Sequence, residues 1–294
     1  MEIEITETAP RDGLQNEKAA ITVAEKVALI EACAAARPSV IEIGSFVNPA
    51  RVPQMADTGA VLRALPALPG VGGMVLIPNA RRLGEFLNAQ ADSAFQVTEV
   101  AVFVSATETF SQANLGCSVA ESLVRVRGIF EALGGAMKVR GYISCATDCP
   151  FEGHVSPAAV GALARALRDL GCDTLALADT IGKGTPARVR AMFEAAMDTW
   201  APGDVVAHFH DTGGRALDNA DVALGVGVRR FDSSVAGLGG CPYAPGAPGN
   251  VATEALADHL GQRGFGHGLD RDGLSAAVAL ARRLVGRKEP VDEH

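Results

Sequence analysis

The residues best equipped for chemistry sit in Val206–Asp211, which reads Val-Ala-His-Phe-His-Asp. His208 and His210 are two apart, so on a β-strand both imidazoles leave one face while Phe209 leaves the other. Two same-side imidazoles joined by a carboxylate form a set that binds a divalent ion and leaves positions open. Asp12 can supply the carboxylate and Asn250 an amide oxygen. Two nitrogens with several oxygens suit Mg²⁺ or Mn²⁺. Zinc would call for more cysteine or histidine. Taken singly, each residue has a plainer role: a satisfied core histidine, a turn acid, a loop amide.

Further reactive types cluster around this set. Glu42 lies between Ile41 and Ile43, where an unpaired carboxylate would be costly. Arg11 is its natural partner, because a guanidinium can bind a carboxylate and still offer donors to a substrate oxygen. The competing reading is a buried ion pair with a structural role only. Asp179 closes another apolar run, Ala176-Leu177-Ala178. Cys241 lies in the glycine- and proline-rich stretch Gly237–Asn250, a composition that suits a loop closing over substrate. A thiol there can donate a proton if its pKa is tuned, and otherwise is incidental.

These residues need elements to position them. Strands are predicted at Ile3–Ala9, Ser39–Phe46, Val71–Pro78, Glu99–Ala106, Lys138–Ala146, Thr174–Thr180, Asp204–Asp211 and Arg230–Leu238, with Pro10–Glu17 a polar loop. Helices fall between them. Thr22 with Glu25, and Ser118 with Glu121, read as capping boxes. Ser156-Pro157 and Thr185-Pro186 read as caps followed by proline at the first helical position. Pro53–Leu65, Arg82–Ala91 and Arg215–Gly225 complete the alternation.

Eight strand-then-helix units predict an α/β fold, a (β/α)₈ barrel with a C-terminal loop and helical extension. We expect one domain over residues 1–294, the barrel occupying about 3–238 and the loop and helices about 239–294. No Gly-x-Gly-x-x-Gly turn follows the first strand to favour a doubly wound sheet. In a barrel the active face is at the C-terminal strand ends, and Arg11, Asp12, Asn79, Asp179, His208, His210, Cys241 and Asn250 all fall there.

Composition agrees. Hydrophobic residues make up 48% and aromatic residues only 5%, so the core is aliphatic, as parallel strands covered by helices require. A net charge of -8 argues against nucleic acid as a partner. No membrane-length apolar run and no signal-like start are found, so a cytoplasmic protein is expected. The six cysteines lack the pairing of a disulfide scaffold.

Ala9–Glu17, Arg140–Tyr142, Asp179–Gly182, His208–Thr212 and above all Asp232–Tyr243 resemble the 3-hydroxy-3-methylglutaryl-CoA lyase family, one of the metal-dependent lyase and synthase barrels. The resemblance runs from the first strand past Asn250. It implies a divalent metal held by Asp12, His208, His210 and Asn250. It also implies functional positions at Arg11, Glu42, Asp179, Cys241 and Glu254. The reaction implied is retro-aldol cleavage of a 3-hydroxy-3-methylglutaryl thioester to acetyl-CoA and acetoacetate, in leucine breakdown, by a homodimer. His208 or Asp179 would take the hydroxyl proton. Lys18, Arg51, Arg81 or Arg82 could meet the CoA phosphates.

The chain departs from the family pattern at Gly44, Ala176, Ala178, Phe209 and Gly213, positions expected beside the metal and the acyl pocket. A related acyl group, citramalyl or a longer 3-substituted glutaryl, is therefore the alternative substrate. A Claisen-type condensing acyltransferase of the same barrels is a second reading, disfavoured by Leu14 after Gly13 and by the short C-terminus. A non-catalytic metal-binding barrel is a third, and it would not require Arg11, Glu42 and Cys241 together.

Overall fold

In a computed structural model of the protein, which describes residues 2–240 and 249–286, eight parallel strands close into a barrel. They are β1 (Glu4–Glu7), β2 (Val40–Ser45), β3 (Gly72–Leu76), β4 (Val97–Ser105), β5 (Lys138–Ser144), β6 (Thr174–Asp179), β7 (Val205–Phe209) and β8 (Arg230–Ser233). Each pairs with its sequence neighbours, and β1 closes the ring on β8 with Thr6 opposite Asp232. The helices are α1 (Val23–Ala35), α2 (Thr58–Ala64), α3 (Ala80–Ala91), α4 (Glu108–Leu115), α5 (Val119–Leu133), α6 (Pro157–Leu170), α7 (Pro186–Met197), α8 (Ala216–Gly225), α9 (Thr253–Gln262) and α10 (Arg271–Leu284). No helix among the described residues is long and apolar enough to cross a membrane.

The caps form where the sequence predicts them. Thr22 and Glu25 bond reciprocally at the start of α1, and Ser118 and Glu121 do so at α5. Each satisfies two backbone N–H groups that the helix leaves unpaired. The main core lies between strands and helices and includes Leu29, Ile30, Ile41, Val75, Phe86, Phe193 and Phe231. A smaller apolar layer inside the barrel contains Met74, Leu76, Ala101, Tyr142, Ala176 and Val206.

Several local features differ from the sequence expectation. β1 ends at Glu7, and Ala9–Gly13 winds into a single π-helical turn that carries Arg11 and Asp12. Such turns are rare in proteins and concentrate at functional sites. The predicted helix Pro53–Leu65 is a short 3₁₀ turn followed by α2. α4 and a small antiparallel hairpin, Asp148–Cys149 with Gly153–His154, were not anticipated. β8 stops at Ser233, and a 3₁₀ turn at Val235–Gly237 follows, with Ala236 at φ +59°. Cys241 lies outside the described residues. The chain re-emerges across the barrel mouth, where Asn250 bridges His210 and Ala252 bridges Ser234.

Candidate active site

His208 on β7 and His210 one residue past its end face the same side, as alternation dictates, and are 5.4 Å apart between ring centroids. Asp12 reaches them from the π-turn. Its Oδ2 is 3.9 Å from His208 Nε2 and 3.6 Å from His210 Nε2. All three side chains are buried and offer ligand atoms within 4.8 Å of one another, a separation that one ion can span. Asp12 Oδ1 is turned the other way and accepts from Arg11 Nη1 at 2.7 Å and from Gln15 Nε2. One carboxylate oxygen is thus tied to the protein and the other faces the imidazoles. This donor set of one carboxylate and two imidazoles fits a divalent ion.

Asn250 is in place, although its amide nitrogen faces Asp12. Nδ2 donates to Asp12 Oδ2 at 2.7 Å and to the Leu238 carbonyl at 3.1 Å. Ligating a metal requires the amide to present its oxygen instead. The backbone approaches tightly here. Gly239 has φ +99°, and a Cβ on it would lie 2.5 Å from Asn250 Nδ2. Only glycine fits that position without displacing the amide.

Arg11 Nε lies 2.7 Å from Glu42 Oε1. Glu42 is fully buried, and neither of its oxygens has hydrogen-bond geometry to a partner. Burial pushes its pKa up to about 7, with Arg11 opposing the rise. Burial works against the Arg11 charge, but Glu42 and then Asp12 more than offset it, so the guanidinium stays charged. Asp12 is likewise disfavoured by burial, yet Arg11, His210 and His208 hold it well below the usual carboxylate range.

A polar column below the site was not assigned from sequence. Arg140 donates to Glu99 Oε2 at 2.9 Å, to Asp232 Oδ1 at 3.0 Å and to Thr6 Oγ1 at 3.1 Å. Tyr142 donates to Asp232 Oδ2 at 2.7 Å, and His208 Nδ1 is 3.1 Å from the same oxygen. Burial opposes the Asp232 charge, but His208 and Arg140 keep its pKa low. In turn Asp232 raises that of His208 against burial. The signal was available, since Glu99, Arg140 and Asp232 interrupt apolar strands at inward positions.

Other predicted residues stand apart. Asp179 is buried, and its carboxylate accepts from Thr147 Oγ1 at 2.8 Å and from the N–H groups of Lys183 and Gly184 at 3.2 and 2.8 Å. It does not line the cavity, though Ala178 and Thr180 on either side do. Glu254 accepts from the Ala236 N–H at 3.1 Å and so holds the turn after β8. Asn79 caps α3 through the Arg82 N–H and also lines the cavity.

The departures from the family pattern fall mostly elsewhere than expected. Phe209 faces outward and packs edge-on against Phe193, with centroids 6.3 Å apart. Gly44 faces α2, where a Cβ would meet Thr58 Cγ2 at 2.7 Å. Ala176 belongs to the apolar layer inside the barrel, and only Ala178 of the five lines the cavity.

That cavity has a volume of about 1010 Å³. Arg11, Asp12, His208 and His210 form one part of its wall. Leu76, Phe103, Tyr142, Ala178, Ser45 and Ser144 also line it, Tyr142 lying edge-on to His208 with centroids 5.9 Å apart. The exposed Arg51 and Arg81 and the half-buried Arg82 and Arg125 line it as well. Lys18 does not.

Fold and site together define a (β/α)₈ barrel with a carboxylate and two imidazoles gathered at the C-terminal mouth. The chain belongs to the HMGL-like family, whose model matches residues 2–280. It is 45% identical over 284 residues to the hydroxymethylglutaryl-CoA lyase of Pseudomonas mevalonii, covering 96% of this chain and 92% of the relative. The solved HMG-CoA lyase of Brucella melitensis superposes with a TM-score of 0.93 at 44% identity, covering 97% of this chain and 99% of that one. An HMG-CoA lyase from A. baumannii, solved with coenzyme A and 3-methylmalate, gives 0.92 at 33% identity, over 99% of this chain and 93% of that one.

Proposed function

We propose that the protein is a metal-dependent carbon–carbon lyase that cleaves 3-hydroxy-3-methylglutaryl-CoA to acetyl-CoA and acetoacetate. The observation that carries this reading is that one cavity joins Asp12, His208, His210 and Arg11 to four further arginines. One part can hold an oxygen-rich acyl group, and the arginines suit the phosphates of a CoA arm. The family membership and the names of the relatives support the same substrate.

A divalent ion held by Asp12, His208, His210 and Asn250 would supply Lewis acidity toward the C3 hydroxyl and the neighbouring carboxylate. Mg²⁺ or Mn²⁺ suits these nitrogen and oxygen donors. The chain does the rest. The C3 hydroxyl gives up its proton, its oxygen lone pair becomes the ketone of acetoacetate, and the C2–C3 bond electrons move onto the thioester fragment. Arg11 is fixed by Glu42 and Asp12 through Nε and Nη1, which leaves Nη2 to stabilise the enolate oxygen. Cys241 returns a proton to C2.

His208 cannot serve as both ligand and base. Its Nδ1 is engaged with Asp232, so only Nε2 has a lone pair to offer. We assign that lone pair to the ion. Asp179 is then the remaining candidate for the proton, and using it requires loosening its contacts to Thr147 or to the backbone.

A coupled assay for acetyl-CoA on chelator-treated protein tests the reading. Activity with the methylglutaryl thioester, restored by Mg²⁺ or Mn²⁺, is the expected result. Turnover of citramalyl-CoA alone would move the substrate, and no cleavage of either would sink the lyase. The resemblance alone supports a homodimer and a place in leucine breakdown, and the cytoplasmic location rests only on the sequence expectation.

A further inference from the structure

Glu7, the last residue of β1, is 2% exposed and does not line the cavity. Its Oε1 accepts from the Ala9 N–H at 2.8 Å and from the Val235 N–H at 3.0 Å. Its Oε2 accepts from Thr253 Oγ1 at 2.7 Å. Those three donors belong to three different segments. Ala9 opens the π-turn that carries Arg11 and Asp12. Val235 opens the turn that leads to Leu238, whose carbonyl holds Asn250. Thr253 lies three residues past Asn250 and begins α9.

We propose that Glu7 is a positioning residue for the metal centre, holding the segments of Asp12 and Asn250 in register without touching the ion. The inference rests on reading Asp12, His208 and His210 as a divalent-ion site. Two features make the clamp necessary. The Val235–Gly237 turn contains Ala236 at φ +59°, a conformation that persists in a non-glycine residue only where surrounding bonds enforce it. The Ala9 and Val235 N–H groups also converge on one buried oxygen, so an apolar side chain at position 7 would leave both unpaired. Ser233 Oγ, 2.9 Å from Thr253 Oγ1, ties β8 into the same knot.

The test is a Mn²⁺ titration of chelator-treated, full-length protein, followed by the EPR signal of free ion, with thermal unfolding in parallel. Glu7→Ala should weaken Mn²⁺ binding by about 10–100-fold, as loss of an outer-shell support does. Glu7→Gln keeps an oxygen for the two N–H groups and can donate to Thr253, and should bind within about threefold of wild type. Leu29→Ala, a cavity in the α1 core, should lower the unfolding temperature with the Mn²⁺ affinity unchanged. Equal weakening in Leu29→Ala and Glu7→Ala would reduce Glu7 to a general structural role and overturn the proposal. So would wild-type affinity in Glu7→Ala. If Glu7→Ala does not fold, Thr253→Val carries the test, and unchanged affinity there overturns it. Wild-type protein that binds no Mn²⁺ would overturn this inference together with the metal reading, a distinguishable result.

Discussion

His208 Nδ1 faces Asp232 Oδ2 at 3.1 Å, and the same oxygen accepts from Tyr142 at 2.7 Å. The pair fixes which nitrogen of His208 carries its proton. With Nδ1–H directed at the carboxylate, Nε2 presents its lone pair toward Asp12. Asp232→Asn should raise the Mn²⁺ dissociation constant by about 10-fold or more. The ring ¹⁵N shifts of His208 in the metal-free protein should also lose the single-tautomer pattern. Unaltered shifts would show that the tautomer is set elsewhere.

His208→Ala and Asp179→Asn should fail differently. Losing a ligand should weaken Mn²⁺ binding and abolish turnover. Asp179→Asn, the variant at the proposed proton acceptor, should leave Mn²⁺ affinity intact and reduce kcat by about 10²–10⁴-fold. Both variants need only the Mn²⁺ titration and a steady-state assay. Weakened Mn²⁺ binding in Asp179→Asn would remove it as the base.

Arg51 and Arg82 line the same cavity as Asp12, His208 and His210. Arg51→Ala and Arg82→Ala should each raise KM for the acyl-CoA by about 5–10-fold with kcat nearly unchanged, the signature of uniform binding. The effect should shrink at high salt, because exposed charge pairs are screened. A fall in kcat at unchanged KM would place these arginines in the chemical step.

Burial raises the pKa of Glu7 from 4.5 to about 7 despite its three hydrogen bonds. A raised carboxylate favours the protonated folded state, so its stabilising contribution is complete below pH 4.5 and is lost as pH rises through 7. The rise corresponds to about 3 kcal/mol. Glu42 has the same rise, also from burial. Metal-free protein should therefore lose unfolding free energy between pH 5 and 8. Glu7→Gln should remove part of that slope, as denaturant titrations at several pH values would show. An unchanged slope would mean that Glu7 ionises freely in the fold.

The barrel was legible because its signals are local and repeated: caps, prolines at first helical positions, aliphatic runs. The gathering of Asp12, His208 and His210 was legible because strand alternation puts His208 and His210 on one side, and an acid after the first strand stands near them once the ring closes. Alternation also places Phe209 on the outside, which the expectation of a changed acyl pocket overlooked. Gly44 escaped for another reason: the register of β2 shifts between Glu42 and Gly44, so period two fails there. The roles of Glu254 and Glu7 depend on a turn after β8 that no short-range pattern announces. α4 was missed because Glu108–Leu115 mixes polar and apolar residues without a clear stripe.

Asp12 and Asn250 stand 238 residues apart in sequence and 2.7 Å apart in space. A chain leaving the ribosome exposes the first long before the second exists. Until β1 meets β8, the acid has no imidazoles opposite it and the Glu7 carboxylate has no partner from the C-terminal segments. Contacts of such separation form late and slowly, because loop closure must precede them. Ion capture would then report completion of the ring, because a nascent chain that has not yet reached β7 lacks both imidazoles opposite Asp12.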